Sequence, residues 1–532
     1  MWVALRDAGP DVDPAASGPA RPARMVRVVA TLAYLPDIAN ETMGALASEV
    51  DCLEVRADLI GDIDPSRLRG EFPGSLIYTL RGTVEGGGCA DTDDIRARRL
   101  IAAADHYDFV DLTSDRDLRP DVLDRIPPHR RIVSWHGPAT DLAKLGQRLD
   151  ALTSAVDAHL YRLAPRADTL AQALVPLLLL NSVRRGDVTA FAVGPAGTFT
   201  RVLTARYGAP VVFGRLDAPS RRNGSPPDGE FPLHRLLADY PLQTLSRVEQ
   251  LYGIIGESTI MGLSPLVHST SYRCLGMPAL FLPFNAAELP HSLADLSAGL
   301  DELGLPLLGA TIIRPHKEAG IALAAEATPT ALRSASANLL VRKATGWWAD
   351  SEADGVVSAL RTRGIALADR PVAVIGCGGA GRAAAVGLTR VGARVTLVNR
   401  GARRGEFAAE HLGLPFVSLD DFDPRPFPVL VHATSESDDV VFPLAGLDPT
   451  TVVFDLNYRA TETPLIAAAQ AAGYVTVDGT EMLLAELSRQ FHLMTGRDMP
   501  VPEVSAALGM RGIEDDKASA APDMDSGTGP RR

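Results

Sequence analysis

Eight short β-like runs recur at regular spacing through the first half of the chain, with helical patterns between them. They are VRVVATL from Val26, CLEVRA from Cys52, SLIYTLR from Ser75, YDFVDL from Tyr107, RIVSWH from Arg131, AHLYRL from Ala158, TAFAVG from Thr189 and APVVFG from Ala209. Strands that alternate with helices form a parallel sheet. Eight such repeats predict a closed (β/α)8 barrel over residues 25–246. The remaining chain is long enough for two further α/β units, read as 250–355 and 356–514.

The 532 residues are 46% hydrophobic and 22% charged, which fits globular domains with ample cores. A net charge of -13 argues against nucleic acid or an anionic membrane as a general partner and leaves room for a local basic pocket for a phosphate. The longest apolar run, 173–180 (ALVPLLLL), is too short to span a bilayer and is read as a core helix. Cys52, Cys89, Cys274 and Cys377 form no C-x-x-C pair, so a reducing cytoplasmic location is expected. Residues 1–24 and 515–532 have the composition of disordered tails, and no signal-peptide pattern or metal-ligand cluster stands out.

The segment 371–400 reads as strand, glycine-rich turn, helix and second strand. Gly376, Gly378 and Gly381 make G-x-G-x-x-G, with Gly379 and Ala380 between them. In that setting the turn lets backbone approach a pyrophosphate at a helix N-terminus. The second strand ends in Asn399-Arg400, followed by Arg403-Arg404, where an NAD site would carry a carboxylate. Guanidinium groups suit a 2′-phosphate, so the expected cofactor is NADP.

Only Lys144, Lys317, Lys343 and Lys517 are lysines among 52 basic residues. Lys317 lies in RPHKEA. With YGIIG from Tyr252, SPLVHS from Ser264, SAN at 336–338, ADG at 353–355, VIGCGGAGR from Val374, NRGARR from Asn399, ATS at 433–435, FDLNYRATETPL from Phe454 and DGTEML from Asp478, it gives a chain of motifs in order. From Leu251 to about Gly512 the chain resembles the shikimate dehydrogenases. The resemblance implies that Lys317 and Asp354 are the catalytic pair. It places Ser264, Asn338, Tyr458 and Glu486 at the substrate, and Thr434 with the glycine loop and Asn399, Arg400 and Arg404 at the cofactor. A lysine can stabilise a developing alkoxide and deliver a proton, its pKa being tunable by burial and a neighbouring carboxylate, whereas an arginine stays protonated. Four polar elements depart from the family pattern. They are Met261-Gly262 for His-Ser, Thr311 and Ile313 for Asn and Thr, Glu352-Ala353 for Asn-Thr, and Glu486 for Gln.

Residues 26–246 resemble the type I 3-dehydroquinate dehydratases. EVRAD gives Glu54 and Arg56, TLRGTVEGG gives Arg81, SWH gives His136 and GTFTR gives Arg201. The family's chemistry uses a strand-six lysine that forms an imine with the substrate ketone. That strand reads DAHLYRLAP; the expected position falls on Leu160, with Arg162 on the same face. The leading expectation is an NADPH-dependent shikimate dehydrogenase fused to a barrel that has lost imine-based dehydration. The alternatives are a fully bifunctional enzyme, a quinate-type dehydrogenase, or a non-catalytic metabolite-binding regulator.

Overall fold

The computed structural model describes residues 26–34, 46, 48–183, 185–216, 230–257, 259–351, 353–434, 439–457 and 462–509. Tyr458, Glu352 and both tails lie outside the described residues.

All eight predicted strands form. They are β1 Arg27–Leu32, β2 Cys52–Arg56, β3 Ser75–Thr79, β4 Phe109–Thr113, β5 Arg131–Gly137, β6 Leu160–Pro165, β7 Val188–Ala190 and β8 Val211–Arg215. They make one sheet in the order β7-β6-β5-β4-β3-β2-β1-β8, with every pair parallel. The seam between β7 and β8 has no ladder; instead the Thr189 hydroxyl donates to the Val211 carbonyl at 3.2 Å. Inward side chains stack in layers, as barrel strands of period two require. Val29, Ile77, Ile132, Leu160 and Phe213 belong to one apolar layer. The run 173–180 lies inside the helix Leu170–Val183, as its composition predicts.

A second, mixed sheet follows in the order β10-β9-β11-β13-β14-β12. Its strands are β9 Gln250–Gly256, β10 Ala279–Asn285, β11 Leu307–Ile312, β12 Ala324–Ala327, β13 Leu339–Lys343 and β14 Gly346–Asp350. A third sheet is wholly parallel, in the order β17-β16-β15-β18-β19-β20. It comprises β15 Pro371–Ile375, β16 Arg394–Asn399, β17 Phe416–Ser418, β18 Val429–His432, β19 Val452–Asp455 and β20 Val475–Val477. That order reverses direction beside β15, where dinucleotide-binding sheets open a crevice.

The helices after β20 do not pack as the 356–514 reading expects. The helix Gly479–Thr495 contributes Leu483, Leu487, Phe491 and Met494 to a core with Tyr252, Ile254 and Phe281 of the second sheet. The chain returns to the substrate lobe because those apolar side chains, with Val267 and Tyr272 of the helix Ser264–Leu275, complete the cover of this face of β9 and β10.

The barrel also shares a core with that lobe. One apolar cluster contains Leu174, Phe199 and Leu203 of the barrel together with Phe284, Leu293 and Leu296. Phe199 and Phe284 meet edge to face at 4.9 Å, and the Tyr207 hydroxyl donates to the Leu303 carbonyl at 3.3 Å. Phe284→Ala is therefore expected to cost about 3 kcal/mol. It should lower a single unfolding transition that includes both barrel and substrate lobe, checked by scanning calorimetry.

Candidate active site

The glycine turn has the backbone of a ligand cradle. Gly376 has φ +115, and a Cβ there would lie 2.8 Å from the Ala433 carbonyl carbon. A Cβ on Gly381 would approach the Gly376 carbonyl oxygen to 1.8 Å, so only glycine lets this helix start so close to its strand. Around Gly378 a Cβ would meet nothing within 4 Å. This is the open side of the N-terminus of the helix Gly379–Arg390, which has Ala380 in its first turn. Asn399 at the end of β16 accepts from the Cys377 amide at 3.1 Å and donates to the Gly401 carbonyl at 2.9 Å. Arg400 and Arg403 are exposed beside it, and Arg404 reaches Glu318 at 3.3 Å. Thr434, beyond β18, shares a 2.6 Å hydrogen bond with His432. Backbone donors, open space at Gly378 and neighbouring guanidinium groups fit a phosphorylated dinucleotide.

Lys317 is the first residue of the helix Lys317–Ala322 and stands against this cradle. A Cβ on Gly379 would come within 3.0 Å of Lys317 Cβ and 2.6 Å of Ser336 Oγ. Two lobes widely separated in sequence thus meet at the helix N-terminus. Among the described residues the Lys317 ammonium has no hydrogen-bond or ion-pair partner. Asp354 opens the helix Asp354–Thr362, and its carboxylate pairs with Arg390. The paired lysine and carboxylate that the resemblance implies are therefore not joined by an ion pair. Each starts a helix packed on Gly379–Arg390, one at Gly379 and the other where Ala353 meets Gly387.

Ser264 and Asn338 are buried on the substrate-lobe side. Asn338 donates to Glu486 at 2.6 Å, Gln490 donates to the same oxygen at 3.0 Å, and the Thr311 hydroxyl donates to Gln490 at 2.9 Å. Two of the positions that depart from the family pattern, Thr311 and Glu486, are thus linked in one network. Sequence reading missed Arg382, although it directly follows the glycine motif. It is 2% exposed and donates to the carbonyls of Ser334 (2.7 Å), Cys377 (3.0 Å) and Ala335 (3.1 Å), and to Glu318 (2.9 Å).

The barrel brings Glu54, Arg56, Arg81, His136 and Arg201 around one cavity, with Arg162, Phe191, Phe213 and Glu230. Leu160 is not among the residues that line it and is buried with Ile132 and Phe109 in the apolar cluster inside the barrel. The strand-six side chain in the cavity is Arg162, two residues on. It donates to Glu54 at 2.7 Å and also pairs with Asp111. Thr31 and Thr79 complete the Glu54 carboxylate at 2.7 and 2.9 Å. Burial alone would raise Glu54, but Arg162 and Arg81 outweigh it and hold the carboxyl well below its usual range. Burial, reinforced by Arg81 and Arg162, pushes His136 well down, so its imidazole is neutral. Burial lowers Arg81 and Arg201 to about 10, and Arg201 lies over the Phe191 ring at 4.3 Å. Arg56 is held apart by a 2.7 Å pair with Asp58.

A two-lobed dinucleotide-binding dehydrogenase joined to a parallel barrel is the class these features define. The family model described as type I 3-dehydroquinase matches residues 28–238. A shikimate dehydrogenase (NADP(+)) of Syntrophobacter fumaroxidans is 32% identical over 281 residues, covering 51% of this chain and 93% of that protein. One from Methanocella arvoryzae is 34% identical over 261 residues, 47% of this chain and 95% of its own. The bifunctional 3-dehydroquinate dehydratase/shikimate dehydrogenase of Arabidopsis thaliana, a chloroplastic protein, is 26% identical over 499 residues. That match spans 87% of this chain and 80% of the relative. The chain belongs to the shikimate dehydrogenase family and carries, ahead of it, a barrel like that of the type I dehydroquinases. Among the described residues no helix is long and apolar enough to cross a membrane.

Gly381→Ala should abolish dinucleotide binding while the barrel stays folded. NADPH fluorescence titration checks the first and the far-UV melting profile the second.

Proposed function

We propose that the chain reduces 3-dehydroshikimate to shikimate with NADPH. The single observation that carries this reading is the contact of Lys317 with the glycine cradle at Gly379. The glycine loop, with Arg400 and Arg404 for the 2′-phosphate, would hold NADPH, and the bound cofactor would supply a hydride. The ammonium of Lys317 hydrogen-bonds the carbonyl oxygen, stabilises the negative charge that develops there and gives up one proton to make the alcohol. Asp354, the catalytic partner that the family resemblance assigns to Lys317, is paired with Arg390. Ser264, Asn338 and Tyr458 hold the substrate's polar groups. Glu486 fixes the orientation of Asn338. The four free thiols, three of them buried, suit a cytoplasmic enzyme. Lys317→Ala is expected to keep NADPH affinity and lose at least about a hundredfold in kcat. Stopped-flow and equilibrium titration of the same preparation check the two halves of that statement, and unchanged turnover would refute the assignment.

In the same reading the barrel performs no imine-based dehydration. What supports this is Arg162, which occupies the strand-six place in the cavity and is paired with Glu54 and Asp111. A guanidinium stays protonated and has no lone pair with which to attack a ketone. Neutral His136 favours a second reading, in which the barrel dehydrates by general-base catalysis without a lysine. Whole chain, NADPH and 3-dehydroquinate, beside a tube holding 3-dehydroshikimate, separate the two. Shikimate is expected from the second tube alone. A borohydride-trapped adduct on the barrel, or shikimate from both tubes, would sink the first reading.

A further inference from the structure

The substrate loop of the dehydrogenase is held by the barrel. Ser264 is the first residue of the 12-residue helix Ser264–Leu275 and is buried. The turn Thr259–Met261 and Gly262 lead into it and set where its hydroxyl stands. Two tethers reach this lead-in from the barrel, each from the chain that follows a strand.

After β8, Arg235 in the helix Leu233–Asp239 donates to the Gly262 carbonyl at 2.6 Å. Arg235 is 9% exposed, and Asp239, 1% exposed and one turn on, forms an ion pair with its guanidinium at 2.6 Å. After β7, the Pro195 carbonyl accepts from Asn285 Nδ2 at 3.2 Å. The other end of that amide accepts from the Thr259 amide at 3.0 Å and the Thr259 hydroxyl at 2.7 Å. The lead-in is therefore pinned near both ends. The tethers start from a rigid base, because the barrel and substrate lobe share one apolar core around Phe199 and Phe284.

Position 262 is glycine, so this residue can offer the site only backbone. A carbonyl gripped by a buried guanidinium replaces what a side chain would otherwise do to order the turn. Charge-assisted hydrogen bonds of this kind are the stronger ones.

We infer that the barrel is a positioning element for the dehydrogenase, and that Arg235 is the positioning residue which sets Ser264 through the Gly262 carbonyl. The inference rests on the proposed dehydrogenase reading for its kinetic consequence, but the tether itself does not. It gives the barrel a task independent of any chemistry in its own cavity.

The test is Arg235→Ala in the full chain, read in two ways. Amide hydrogen exchange across 259–264 should quicken by about tenfold or more. KM for 3-dehydroshikimate should rise by about tenfold with KM for NADPH unchanged. A general structural defect would move both KM values together. Should that variant fail to fold, Arg235→Met with Asp239→Asn keeps the volume, leaves no buried charge unpaired and carries the same two expectations. Exchange equal to that of the wild type overturns the tether. Quickened exchange with both KM values unchanged overturns the positioning role. A wild-type chain that turns over no 3-dehydroshikimate defeats the proposed function instead, and the exchange result still decides the tether.

Discussion

Arg382 sits at the joint between the two lobes of the dehydrogenase. It carries a full charge in a nearly water-free place, so every donor needs a partner. The partners it finds belong to different parts of the chain. One is the carbonyl of Cys377 in the glycine turn, two are the carbonyls of Ser334 and Ala335, and the fourth is the carboxylate of Glu318. Glu318 is the neighbour of Lys317. The guanidinium thus ties the cofactor turn to the peptide that carries the lysine, and the contact of Lys317 with Gly379 follows from it. Arg404 adds a second cation to the same carboxylate, which links the segment after β16 to the helix that Lys317 begins.

The barrel solves a different electrostatic problem. Its interior holds Glu54 and Asp111 close together, and two buried carboxylates repel each other unless a cation lies between them. Arg162 is that cation. Its planar fork engages both, and its face lies against the Phe213 ring at 4.8 Å. A lysine in its place would offer one point charge to two acceptors. The present interior is thus built around a fixed fork, with His136 kept neutral by burial and, after that, by the surrounding arginines.

Much of this was legible in the sequence. The eight barrel strands and the G-x-G-x-x-G turn were readable because each rests on local pattern: apolar runs bounded by turns, and glycines where backbone must approach backbone. What depended on depth or on distant partners was not. Leu160 and Arg162 share a face at period two, and only the layer in which each lies separates floor from cavity. The partner of Asp354 is Arg390 on a helix 36 residues away, a pairing no spacing rule supplies. Thr311 and Glu486 look like two separate losses until the fold brings them, through Gln490 and Asn338, into one network. The helix Gly479–Thr495 follows a Rossmann strand directly, so its sequence position conceals its place in the other lobe.

That last helix bears on how the chain is made. Synthesis runs from the amino terminus, and domains condense as their residues emerge. The barrel strands are all available once β8 has left the ribosome. The substrate lobe emerges next, yet its core lacks Leu487, Phe491 and Met494 until the entire nucleotide-binding sheet has been translated. During that interval one face of β9 and β10, with Leu251, Leu280 and Phe284, is already packed toward the barrel, while the other, with Tyr252 and Phe281, has Val267 and Tyr272 of the helix Ser264–Leu275 to cover it. The fused barrel thus backs one side of the nascent lobe, and the opposite side stays unfinished until the carboxy-terminal helix arrives.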